Sequence, residues 1–186
     1  MIAMKTSSPR RQRGASLFVA LVMMIAITLI GLASVNLSTS EERMARNARD
    51  TNIALQAAEA ALRDAEADIT TTRSLSGATL FSATCDQTDG KGLCIPAATG
   101  TEQRWETYLE DGVRSLAYGE LTGVPAFRLN EPGGVAAQPR YLVEAVPDTM
   151  GTSLRAGSAR YLYRVTALGY GALGGTQVLI QEFFRP

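Results

Sequence analysis

Twenty-three consecutive residues, Ala15 to Leu37 (ASLFVALVMMIAITLIGLASVNL), carry no charged side chain and no proline. As a helix rising about 1.5 Å per residue they span about 35 Å, more than the roughly 30 Å hydrocarbon core of a bilayer. Such a segment has to be kept out of water by lipid or by other helices. Lys5, Arg10, Arg11, Arg13 and then Gly14 precede it, and Glu41 and Glu42 follow it. Basic residues collect on the cytoplasmic flank, so the rest of the chain is expected on the far side. A cleaved secretory signal fits poorly. Its apolar core is about 7–15 residues and ends in a small-residue site, whereas this run is longer and its edge, Leu32-Ala33-Ser34, is a poor match. A plain anchor explains the length and the charges, but not why the basic cluster abuts a glycine.

From Ser38 the chain turns polar, yet no glycine or proline intervenes between Leu32 and Gly77. Met44, Ala48, Thr51, Leu55, Ala58, Leu62, Ala65 and Ile69 recur in steps of four and three, the pattern of one helical stripe. Glu42–Arg46, Arg46–Asp50 and Glu59–Arg63 stand four apart and support the helix. One helix is therefore predicted from Ala15 to about Ile69, fraying at Thr70-Thr71-Thr72. The stripe is too poor in large residues for an independent coiled coil and favours docking on a sheet.

Three β-rich runs close the chain: Arg140–Val146, Arg160–Leu168 and Thr176–Phe184. Tyr161, Tyr163, Val165 and Ala167 alternate with Leu162, Arg164, Thr166 and Leu168, which gives the sheet one more polar face. Gly169, Gly171, Gly174 and Gly175 are read as a hairpin connection. The glycines do not form a phosphate-binding loop, because no helix follows them. Between helix and sheet, Trp105 and Tyr108 are expected in the core, and Pro125 to Pro139 as loop.

Catalytic chemistry finds little support. The chain has no histidine, the commonest general base and transition-metal ligand. Its only lysines are Lys5 and Lys91. Asp64 and Asp68, one helical turn apart, read as solvated surface charges rather than an acid–base pair. Asp86 and Asp89 lack the ordered oxygen ligands of a calcium loop, and Asp89-Gly90 reads as a solvated turn. No catalytic residue, metal or cofactor is expected. Without residues 1–14 the chain holds 14 basic against 18 acidic side chains, so nothing points to nucleic acid.

The junction RQRG–ASLFVALVMM resembles the cleavage site of type IV prepilins, and EERMARNARD and QAAEAALRDAE resemble the N-terminal signature of PilX-type minor pilins. The segment YRVTALGYGALGGTQVLIQ is similar to the closing strands of the same group. The resemblance implies a leader over residues 1–14, with cleavage between Gly14 and Ala15 and methylation of Ala15 as the new N-terminus. Val19 stands at the fifth mature position, where most pilins have glutamate and a subset has none. The implied fold is α+β and type IV pilin-like. A long helix, its 15–37 half spanning the membrane and its 38–69 half amphipathic, packs on an antiparallel sheet in 140–186, with a variable region over 70–139. Cys85 and Cys94 would face an oxidising periplasm, where a disulfide is the default.

The implied function is that of a minor pilin that helps initiate type IV pilus assembly at the fibre tip, with a role in adhesion or aggregation. Its partners would be other minor and major pilins through the N-terminal helix, the prepilin peptidase, and the inner membrane before assembly. The single-pass, periplasm-facing form would then move to the surface pilus. The alternatives are a pseudopilin of a type II secretion system and a membrane-anchored periplasmic enzyme or binding protein.

Overall fold

A computed structural model describes residues 15–148 and 160–185, the side chains of 35–38 excepted. The expected leader, residues 1–14 with Gly14, lies outside the described residues. Helix α1 runs Ala15–Ala67 without a break. The chain divides after Arg46 into two units. The first holds the apolar start of α1, and the second is an α+β domain.

In the second unit α1 passes into one wider π turn, Asp68–Thr72. The Asp68 carbonyl accepts the Arg73 amide at 2.9 Å, and Ser74 closes the turn at a left-handed φ of 45°. Five strands follow: β1 (Leu93–Cys94), β2 (Leu116–Ala117), β3 (Arg140–Pro147), β4 (Tyr161–Tyr170) and β5 (Gln177–Phe184). Their order is β1-β3-β4-β5, with β2 also paired to β3. The three long strands are antiparallel, as expected. The sheet as a whole is mixed, because β1 leaves the cysteine loop parallel to β3.

One face of the sheet carries the helix. Ala61, Ala65 and Ile69 pack there on Tyr141, Val143, Tyr163, Val165 and Ala167. The buried stripe of α1 differs from the predicted one. Ala58, Ala65 and Ile69 are buried, but so are Ala54, Ala57 and Ala61, while Leu55 is 36% exposed. The reason lies in Gly169, which belongs to β4 rather than to the hairpin turn. A Cβ on Gly169 would stand 2.0 Å from the Ala54 carbonyl oxygen and 2.4 Å from the Ala58 nitrogen. Helix backbone and strand backbone touch here, so alanines fill the close contact and Leu55 turns outward, while Leu62 packs partly buried against the core.

The second face was expected to be more polar, yet it is also covered. Cys85, Cys94, Leu109, Leu142 and Leu168 form a second buried cluster, with Trp105, Tyr108 and Tyr170 packed against it. Trp105 and Tyr108 sit on a short helix α2 (Arg104–Tyr108), opened by a capping box between Gln103 and Glu106. Within 70–139 the cysteine loop and α2 thus cover the sheet's outer face, while Leu75, Phe81, Leu93 and Leu116 join the helix-side cluster. Even Thr166 is fully buried, and its hydroxyl accepts the Gln181 side-chain amide at 2.9 Å.

Candidate assembly interface

Every described residue from Ala15 to Ser34 is exposed. The surface is apolar all round and includes Phe18, Met24, Ile27 and Ile30. Two of its hydroxyls are satisfied inside the helix: Thr28 donates to the Ile25 carbonyl at 2.8 Å and Ser34 to the Ile30 carbonyl at 2.9 Å. The helix is long and apolar enough to cross a membrane. At about 1.5–3 kcal/mol per large apolar side chain, leaving it in water costs on the order of tens of kcal/mol. Gly31 meets no heavy atom within 4 Å where a Cβ would stand, so its backbone is open to close approach by another helix. Ala15 opens α1, and Val19 lies on it, 54% exposed.

Cys85 and Cys94 are joined in a disulfide, and both are fully buried. Cys94 lies in β1 beside Glu144 of β3, so the bond fastens the loop to the sheet. Within the loop the Gly90 amide donates to the Gln87 carbonyl at 3.0 Å, the turn expected near Asp89. Asp86 and Asp89 are exposed, and Lys91 forms an ion pair with Glu120. Burial would raise the Glu120 pKa, but the Lys91 ammonium and the Ala117 amide hold it below the usual carboxylate range. No cluster of three or more metal-ligating side chains occurs among the described residues.

Asp64 and Asp68 are buried, not solvated. Both Asp68 oxygens accept from the Arg73 guanidinium, and one also accepts the Tyr141 hydroxyl at 3.3 Å. Burial first, and then the Asp68 charge, push the Tyr141 phenol well above its ordinary pKa. Asp64 accepts the Gly119 amide at 2.8 Å and the Thr122 hydroxyl. A third carboxylate, Asp50, is 5% exposed and accepts the Ala172 and Leu173 amides at 2.7 and 3.2 Å. The Thr176 hydroxyl leads in lowering its pKa, with the two amides adding to it against the effect of burial.

Asp50 and Asp64 lie on the alanine face of α1 and clip it to two separate loops, while Asp68, in the same phase at the start of the π turn, holds Arg73 just beyond that turn and Tyr141 of β3. Each is committed to a cation, a hydroxyl or backbone amides, which is a fastening role rather than acid–base chemistry. The available signal was positional: Asp50, Asp64 and Asp68 fall on the helical phase of Ala54, Ala57, Ala61 and Ala65. On the opposite face of the sheet Glu144 is fully buried against Arg164, whose Nε donates at 2.8 Å. Burial raises the Glu144 pKa, and Arg164 offsets it only in part.

The PilX N-terminal family model matches residues 13–63, across the apolar half of α1 and most of its alanine face. The model described as type IV pilus assembly protein PilX, C-terminal, matches residues 90–186, from the cysteine loop through the sheet. Neither a search of curated proteins nor one of solved structures gave a match. With an exposed apolar helix, an alanine-faced α+β domain and both family segments in their expected order, the chain belongs to the PilX family of type IV pilus assembly proteins.

Proposed function

We propose that the chain is a minor pilin that starts type IV pilus fibres and remains at their tip. Before assembly it is a single-pass inner-membrane protein with its α+β domain in the periplasm. The prepilin peptidase removes residues 1–14 after Gly14, and Ala15 is then methylated. The observation that carries this reading is the apolar surface of Ala15–Ser34, exposed on every side, with the Thr28 and Ser34 hydroxyls bonded within the helix. Such a helix can pass from lipid into a bundle of equivalent helices without its apolar surface meeting water.

Val19 supports the tip position. A carboxylate at this depth costs about 2.5–3.5 kcal/mol on insertion scales unless it is paired, as with the N-terminal ammonium of a neighbouring subunit. A subunit that joins beneath others has such an ammonium above it to neutralise. A subunit that starts the fibre has none, and valine suffices. Quantitative mass spectrometry of sheared fibres, with immunogold labelling, tests this. Copy number independent of fibre length and label at one end are expected. Copy number rising with length, or label along the shaft, overturns the tip position.

A further inference from the structure

We propose that α2 is a proton-controlled lid, closed over the outer face of the sheet while Glu144 beneath it is neutral and opened when Glu144 ionises. Glu144 is fully buried in β3, and the Arg164 guanidinium meets only one of its two oxygens. Nε at 2.8 Å and Nη2 at 2.7 Å both go to Oε2. Oε1 has no hydrogen-bond partner among the described residues. Asp68 is buried to the same degree, but both its oxygens accept from Arg73. A buried carboxylate with an unbonded oxygen is favoured neutral, because ionisation leaves charge away from water.

Two cations bear on Glu144, Arg164 from β4 and Arg104 from α2, and burial outweighs them. From β1 the neighbour in register is Cys94, which is disulfide-bonded and does not titrate. β5 brings Phe183 beside Arg164. The cover itself is lightly fastened. Arg164 also donates to the Gln103 side chain at 3.3 Å, and Gln103 caps α2. Beyond the other end of α2, Gln177 donates to Glu110 at 3.1 Å. A groove of about 390 Å³ runs along the seam, lined by Trp105 and Leu109 from the cover and by Leu168 and Leu179 from the sheet.

Lifting α2 admits water to Glu144, so ionisation and opening favour one another. Arg104 leaves with the lid, but burial is the larger effect. The closed form holds the Glu144 pKa above its ordinary value. Closure is therefore fully supported below the ordinary value and fades as pH rises through the raised one. Asp50, on the helix side, responds in the opposite direction. The inference does not depend on where in the fibre the subunit sits.

The test follows amide exchange at residues 103–109 of the full chain in detergent from pH about 4 to about 9, corrected for intrinsic rates. Exchange in the parent chain is expected to speed at least about tenfold across one single-proton step centred above the ordinary glutamate value, while β3 and β4 keep their protection. Acrylamide quenching of Trp105, the chain's one tryptophan, should rise along the same curve. Glu144→Gln should hold the lid closed and flatten both profiles. Arg104→Gln removes a cation that favours the ionised form, so its step should move to higher pH, a readout that stands even if Glu144→Gln folds poorly. A flat profile in the parent, an unchanged profile in Glu144→Gln, or a step that fails to move upward in Arg104→Gln overturns the proposal. Exchange that speeds in acid does the same, since the ionised pair would then be what holds the lid. So does loss of protection throughout β3 and β4, which assigns the step to unfolding of the domain.

Discussion

Ala15–Ser34 and Asp50–Asp68 lie on one continuous helical path, yet they follow opposite rules. The first stretch presents large apolar side chains in every direction and buries none of them. The second buries only a narrow face, made of alanines and three aspartates. The difference lies in where each finds its partner. The second docks on its own sheet, where Gly169 brings backbone against backbone and fixes the size of everything between. The first has no partner among the described residues of its own chain, and its surface suits lipid or neighbouring helices. Where helix and strand backbones touch, small residues mark the contact within the domain, and the exposed large residues of Ala15–Ser34 mark a contact outside it.

That contrast can be broken most forcefully at Gly169. Gly169→Val forces methyl groups into the Ala54 carbonyl and the Ala58 amide, and is expected to destabilise the domain by more than about 3 kcal/mol. Denaturant titration in detergent, followed by the fluorescence of Trp105, measures it. A near-neutral result would mean that helix and strand are not in backbone contact.

Removing the disulfide ranks next. Replacing both Cys85 and Cys94 by alanine should cost about 2–3 kcal/mol, since the bond closes a short loop and ties β1 to β3. The same titration reads this. Alkylation without reductant should find neither thiol reactive in the unmodified chain.

Asp50→Asn probes the polar members of the inner face, with an expected loss of about 1–2 kcal/mol at neutral pH. The pH dependence has a definite sign. The folded pKa of Asp50 lies below its ordinary value. Its ionised form therefore stabilises the fold above the normal carboxylate range, and that contribution fades as pH falls through the lowered pKa. The gap between Asp50→Asn and the parent chain should accordingly narrow on acidification. A gap that widens below pH about 4 contradicts the assignment.

The smallest effect is expected at Leu55. Leu55→Ala should cost less than about 1 kcal/mol, because the side chain is already 36% exposed. A loss of about 2–5 kcal/mol, typical of a core leucine, would restore the stripe predicted from periodicity.

Much of this molecule was legible in its sequence, for reasons that can be stated residue by residue. The uncharged run from Ala15 to Leu37 and the absence of breakers as far as Gly77 defined one long helix, and β-branched and aromatic runs placed β3, β4 and β5 within one or two residues. The inward face of the helix was misread because periodicity weights large residues, and here the contact selects small ones. Leu55 draws the predicted stripe away from Ala54, Ala57 and Ala61. Local pattern does not disclose the burial of Asp64 and Asp68, because Gly119, Thr122 and Tyr141 come from distant segments and Arg73 reaches back to Asp68 only across the π turn. The same distance hid the second buried face. Leu142 and Leu168 are covered by the cysteine loop and α2, and no local pattern announces that cover.

The central claim is that Ala15–Ser34 is an assembly helix, taken from the membrane into the fibre after processing at Gly14. Mass spectrometry of the N-terminal peptide of the chain recovered from sheared pili tests it most directly. The account predicts a chain that begins at N-methylated Ala15 and is found in the fibre fraction. A chain that retains residues 1–14, or that occurs only in the membrane fraction of a piliated cell, would contradict it.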